Sequence, residues 1–205
     1  MSGTLRPLGQ AALAYGGQGY KVLPVYGVRD GVCLCKHGPR CRAPGKHPTT
    51  AHGARDATSV RDQIREWWRK NPEANIGIRP GGGFLVLDVD SLESLQALVE
   101  QHGALPETLT GGTGSGGLHY CFKTDQPIRN SGKVGPGIDV CGDGGYVVAP
   151  PSIHSSGRRY SVELGAPVAE MPDWLAERST GTPTGRVDDD ALHDPLPPPE
   201  LDAVS

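Results

Sequence analysis

The chain has 205 residues, 36% hydrophobic and 21% charged, with a net charge of −3. That length suits one domain or two small lobes sharing a core. A slightly acidic balance excludes a generic basic nucleic-acid binder, and the lack of an apolar run near ~18 residues excludes a membrane-spanning helix.

The charge is unevenly placed. Residues 1–80 carry 13 Lys+Arg against 5 Asp+Glu, residues 81–180 carry 6 against 12, and residues 181–205 carry 1 against 6. A basic part beside an acidic one suits a polyanion held next to a metal-binding carboxylate cluster, and equally suits solvated surface charge. The N-terminus, MSGTLRPLGQ, lacks a signal-peptide apolar core, so a cytoplasmic protein is expected. Five cysteines in such a chain argue against a disulfide framework.

In chain order, LGQAALAYGG reads as a helix stopped at Gly16-Gly17, followed by a strand over 21–26. Residues 27–56 read as a long loop, a length that is normally functional or pinned by metal. The segment from residue 56 reads as a helix that Thr58 or Ser59 can cap, with Ile64, Trp67 and Trp68 on one face and Pro72 past its end. A strand over 84–90 and a helix ended by Gly103 come next. The glycine-rich LTGGTGSGG leads into a strand at 118–123, with short strands at 137–141 and 146–149, a last strand in RRYSVELG and a short helix in MPDWLAER. This order predicts an α+β fold, with mostly antiparallel strands and sheets open on one face. Residues 1–178 form the expected folded domain, and 179–205 an acidic, Pro-rich linker or disordered tail.

The run GGGFLVLDVD ends in two acids one residue apart. Strand alternation puts Asp88 and Asp90 on one face, with Leu87 and Val89 on the other. Like charges that close repel unless a cation lies beside them, and divalent Mg²⁺ or Mn²⁺ prefers carboxylate oxygen. For this pair alone, a strand ending in water reads as well. His119 and Asp139 shift the balance, because each lies opposite the apolar stripe of its own strand. Three carboxylates and a histidine on one sheet face can hold two metals about 4 Å apart, activating a 3′-hydroxyl and steadying pyrophosphate. His119 can then reach a nucleotide phosphate.

CLCKHGPRCRAPGKHP offers Cys33, Cys35, Cys41 and His47, a donor set suited to one tetrahedral structural Zn²⁺, with His37 as an alternative to His47. Three reduced cysteines in a flexible loop is the competing reading. Lys46, Arg158 and Arg159 flank the carboxylates in sequence and suit a triphosphate, although surface charge explains each alone. Trp67 and Trp68 read as core rather than base-stacking platforms. GGTGSGG is not a phosphate loop of the G-x4-G-K-[ST] kind, since no Lys follows and it enters a strand. Cys121 and Cys141 are assigned no chemistry.

Taken together, AALAYGGQGYKVLPVY, the C-x-C…C…GKHP stretch, IREWWRKNPEANIGIRPGGGFLVLDVD, GSGGLHYCF and GIDVCGDGGYVVAPPSIHSSGRRY resemble the bifunctional DNA primase/polymerase N-terminal domain of the archaeo-eukaryotic primase superfamily. The resemblance covers about residues 8–178. Its D-x-D motif falls on Asp88 and Asp90, its small-x-His motif on Gly117 and His119, and its apolar-Asp motif on Ile138 and Asp139. Ser152 and His154 look similar to its nucleotide-proximal segment. The resemblance implies a two-lobed fold in which an RRM-like catalytic sheet packs on a second α/β lobe. It implies metal binding by the three Asp residues and nucleotide contact by His119. The implied activity is primer synthesis and extension from NTPs or dNTPs on a single-stranded DNA template, in phage or mobile-element replication. A monomer is expected, with a helicase domain or protein downstream. The alternative is a zinc-stabilised, non-catalytic single-strand or origin DNA-binding module. A metal-dependent nuclease is a weaker third reading.

Overall fold

Short apolar runs separated by turns sort this chain into two antiparallel sheets with helices around them. The structure is a computed structural model that describes residues 5–130 and 132–179. Residues 180–205, nearly all of the expected tail, lie outside the described residues. In chain order the elements are α1 (Pro7–Gly17), β1 (Lys21–Val25), β2 (Val28–Arg29), β3 (Val32–Cys33), α2 (Arg61–Lys70), β4 (Asn75–Arg79), β5 (Phe84–Val89), α3 (Leu92–His102), β6 (Thr110–Gly112), β7 (Leu118–Lys123), β8 (Gly132–Gly135), β9 (Ile138–Cys141), β10 (Val147–Ala149), β11 (Ser161–Leu164), β12 (Ala169–Glu170) and α4 (Asp173–Ser179).

The larger sheet runs β11-β6-β7-β5-β9-β8, with β12 added in parallel to β7. The smaller sheet is β1-β4-β10, and β2 and β3 form a separate hairpin. β5 lies inside the larger sheet because its residues are apolar on both faces, the pattern of a strand covered twice. On one face Leu85, Leu87 and Val89 join Phe122, Ile138 and Val140 against Leu95 and Leu98 of α3 and Leu175 of α4. On the other, Val86 and its register neighbours Cys121 and Cys141 join Val22, Ile76, Ile78 and Val147 of the smaller sheet, with Tyr15 of α1 and Trp68 of α2. One apolar body therefore links the two sheets, and the Asp88 side of β5 faces the link.

Several expectations need correction. The larger sheet is not open on one face: both faces are buried along β5 from Leu85 to Val89, and only its two ends reach solvent. Val60 occupies the N-cap of α2, not Thr58 or Ser59. Thr58 is bonded through its backbone to Val22 in both directions, which holds it in the extended line of β1. Residues 27–56 are not one irregular loop but contain the β2–β3 hairpin and two 3₁₀ turns. By contrast α3 starts and stops as its sequence dictates. Ser91 Oγ accepts from the Ser94 N–H at 3.2 Å, and Gly103 takes the left-handed conformation (φ 101°) after the last turn. Among the described residues no helix is long and apolar enough to cross a membrane.

Candidate active site

Register brings the acids and the histidine together. Asp88 pairs with His119 of β7 on one side and with Asp139 of β9 on the other, so three polar side chains stand in one row across three strands. Directly opposed residues share a face, with Cβ atoms about 4.5–5.5 Å apart. The preceding row on that face is Cys121, Val86 and Cys141, all fully buried. Advancing two residues along each strand replaces an apolar row with an ionisable one. Asp88 is 8% exposed, Asp139 is half-buried, and Asp90, two residues further on, is exposed. The acids thus line a polarity gradient that leads out of the inter-sheet core.

His119 is wholly buried, and its Nε2–H donates to Asp88 Oδ1 at 2.8 Å. Its Nδ1 is buried with no hydrogen-bond partner. Such an orphaned polar atom costs roughly 1–3 kcal/mol, which a fold tolerates where function supplies a partner. The row continues to Lys133 of β8, opposite Asp139. Lys133 escaped the sequence reading because β8 sits among Gly, Pro and Ser residues, where strand alternation is too short to register.

The turn from β6 into β7 lies beside the row. Gly117 N–H donates to Thr113 Oγ1 at 2.8 Å, and Thr113 and Ser115 share a hydroxyl hydrogen bond at 2.7 Å. A Cβ on Gly117 would sit 2.7 Å from the Val89 carbonyl oxygen, so only glycine lets β7 enter this close to the end of β5. The segment after β10 covers the turn. Ser156 Oγ donates to the Gly114 carbonyl at 2.9 Å, and a Cβ on Gly114 would meet His154 Cβ at 2.0 Å. A Cβ on Gly116 would be 3.6 Å from an Arg158 guanidinium nitrogen, which puts that cation over the turn.

Two of the other nucleotide candidates go elsewhere. Ser152 is fully buried and its hydroxyl accepts the Ile76 N–H at 2.9 Å, serving the end of the smaller sheet. Arg159 turns away from its neighbour Arg158: its guanidinium donates to the Pro151 carbonyl and it lines a cavity beside Arg29. Lys46 is half-buried, and its carbonyl accepts from the Tyr146 hydroxyl.

A second centre forms at the hairpin. The ligand atoms of Cys33, Cys35, Cys41 and His47 all lie within 4.8 Å of one another, with His47 Nε2 3.5 Å from Cys33 Sγ and 3.4 Å from Cys41 Sγ. Among the described residues it is the one group of three or more such side chains gathered that tightly; the three aspartates share a face without converging to that degree. His37 is exposed at the start of a 3₁₀ turn and is not part of the group. Three thiols and an imidazole in this arrangement fit a tetrahedral metal ion. Burial, together with the Cys33 and Cys35 thiols, holds the Cys41 thiol up to about 11 despite the Ala43 N–H. At Cys35 burial acts in the same direction, but hydrogen bonds from the His37 backbone and from the Cys33 and Cys41 thiols outweigh it and lower the thiol. A bound cation would deprotonate both outright. Burial alone pushes the Cys121 thiol far up, consistent with a cysteine that only packs.

No curated protein matches the chain. A family model, bifunctional DNA primase/polymerase, N-terminal, matches residues 12–174 and so spans β5, β7 and β9 together with the cysteine–histidine cluster. Membership implies a DNA template and nucleotide substrates. The chain belongs to the bifunctional DNA primase/polymerase family, and it is a nucleotidyltransferase.

Proposed function

We propose that the protein is a template-dependent primase-polymerase that adds nucleotides to a 3′-hydroxyl, using Asp88, Asp90 and Asp139 to hold two Mg²⁺ or Mn²⁺ ions. The observation that carries this reading is the row His119–Asp88–Asp139 at the mouth of the inter-sheet core. Carboxylate oxygens are the donors those hard cations prefer, and three on one face repel one another without them. Ions bound there supply activation of the attacking hydroxyl and neutralisation of the departing pyrophosphate.

The chain's own residues do the rest. In this reading His119 makes the nucleotide contact that the family motif implies, and Arg158 adds a cation over the turn that leads to His119. The side-chain-free residues Gly116 and Gly117 let a phosphate approach the backbone beside them. Lys46 and His154 belong to the same reading as further phosphate contacts. Ser152 drops out of it because its hydroxyl already accepts the Ile76 N–H, and Arg159 because its side chain lines a cavity away from the row. Burial of Asp88 and His119 excludes bulk water from that part of the row, which strengthens charge contacts made there.

In architectural terms the reading is the archaeo-eukaryotic primase fold, with β5, β7 and β9 in its RRM-like catalytic sheet and β1, β4, β10, α1 and α2 in the second lobe. The cysteine–histidine cluster holds one structural Zn²⁺, the metal its donor set favours. The protein works as a monomer in the replication of a phage or mobile element.

The test is primer extension on a single-stranded template by the wild type and by Asp88→Ala/Asp90→Ala. Losing such charge stabilisation lowers the rate by about 10²–10³-fold or more. Equal extension by the double variant would sink the assignment of these carboxylates.

A further inference from the structure

Away from the carboxylate row, two adjoining cavities of about 370 and 440 Å³ share the side chains of Arg6, Arg29, Pro72 and Glu73. Together they form a trough that runs from Lys70 at the end of α2, past the β2–β3 hairpin, to Arg159. Four cations line it (Arg6, Arg29, Lys70 and Arg159) against two acids, Glu73 and Asp30, with Lys70 also paired at 2.6 Å to the exposed Glu66 on α2. Glu73 is shared by two of the arginines: it lies 3.9 Å from Arg6 and in direct contact with Arg29. These side chains are 68%, 62% and 40% exposed for Arg6, Arg29 and Glu73, so the pairs are weak and readily exchanged for another anion. Tyr26, whose ring lies 4.5 Å from that of His47, adds an aromatic surface to the trough wall.

We propose that this trough holds the phosphodiester backbone of the single-stranded DNA template, with Arg6, Arg29, Lys70 and Arg159 contacting successive phosphates. A trough of two connected cavities suits a chain of phosphates better than one anion. Excess cations on a slightly acidic protein mark a local polyanion site that net charge conceals. The trough also meets the active site at one segment. Arg159 lines the trough while its neighbour Arg158 stands over the β6–β7 turn, so a strand leaving the trough meets the turn that leads into β7. Asn75 stiffens this junction, donating to the carbonyls of Gly45 in the metal-binding loop (3.1 Å) and Ile153 (2.9 Å), and accepting from the Ile153 N–H (2.9 Å).

The inference rests on the polymerase reading, but its test is independent of synthesis. Binding of a labelled 20-nucleotide single strand is measured against salt for the wild type, Arg6→Ala/Arg29→Ala and Glu73→Gln, with Mn²⁺-dependent binding of a labelled nucleotide followed in parallel. Losing two phosphate contacts weakens DNA binding by roughly threefold to fivefold per arginine and flattens the log K against log [salt] slope by about 1.4. Glu73→Gln tightens DNA binding, a gain that loss of structure cannot produce. Nucleotide binding stays unchanged in both variants. DNA affinity and salt slope that stay at wild-type values in both overturn the proposal, whatever Asp88→Ala/Asp90→Ala does to extension.

Discussion

Asp88 draws its chemistry from its neighbours across the sheet rather than along the chain. Alternation alone aligns it with Asp90, but its hydrogen bond goes to His119, 31 residues away. That pairing depends on β7 entering at the correct register, and Gly117 guards the entry. Any side chain there meets the Val89 carbonyl, which is backbone and cannot swing aside. Gly117→Ala is expected to cost about 1–3 kcal/mol, the usual range for overpacking, and to slow extension by shifting His119 against Asp88. Denaturant unfolding and primer extension measured together check this; wild-type values in both would mean the contact relaxes freely. The D-x-D pair and the polarity of His119 and Asp139 were legible because strand period is local. Which nitrogen of His119 meets Asp88, and that the other lacks a partner, was not, because both follow from contacts across strands.

Elements with strong periodicity were readable and those without it were not. In α2, Ile64 and Trp68 stand one turn apart and are both buried, while Trp67 is only partly covered. The indole N–H of Trp68 donates to the Ala74 carbonyl at 2.9 Å, fixing the turn that launches β4. Trp68→Ala is expected to destabilise by about 3–5 kcal/mol and Trp67→Ala by well under half of that, as read from denaturation midpoints. Comparable losses would contradict the burial difference. β4 itself, the central strand of the smaller sheet, escaped the reading: five residues following a helix and a proline carry too little pattern to separate strand from loop. The hairpin strands β2 and β3 have two residues each, and β6 and β8 are rich in glycine. All four exist because neighbouring backbone satisfies their hydrogen bonds, not because of their own propensity.

At the level of the whole molecule, the loop carrying the cysteine–histidine cluster works as a clasp. His47 accepts from the Tyr26 N–H, the Thr49 N–H donates to Pro24 at the end of β1, and Tyr146 reaches the Lys46 carbonyl from the approach to β10. An ion held by the cysteine–histidine cluster would therefore pin a segment that touches every strand of the smaller sheet or its flanks. Elemental analysis is expected to give one zinc per chain. Stripping it is expected to lower thermal stability; a loss of about 3 kcal/mol corresponds to roughly 6–12 °C in a domain of this size. No bound metal, with full extension after chelation and return of Mg²⁺, would remove the site.

By itself the sequence determined the local facts: apolar alternation in β5, two acids on one face, a dense cysteine–histidine stretch, and an ordered set of motifs that carried the family resemblance. It determined these because they depend on residues within a few positions of one another, where helix and strand periods hold. Only the tertiary structure decided that His119 and Asp139 flank Asp88, that His47 rather than His37 joins the three cysteines, and that Arg158 and Arg159 face different sites. Each of those is a question of register or of side-chain direction between distant segments. Pairing across a sheet is selected by burial of the whole face, so no single segment carries enough information to specify it.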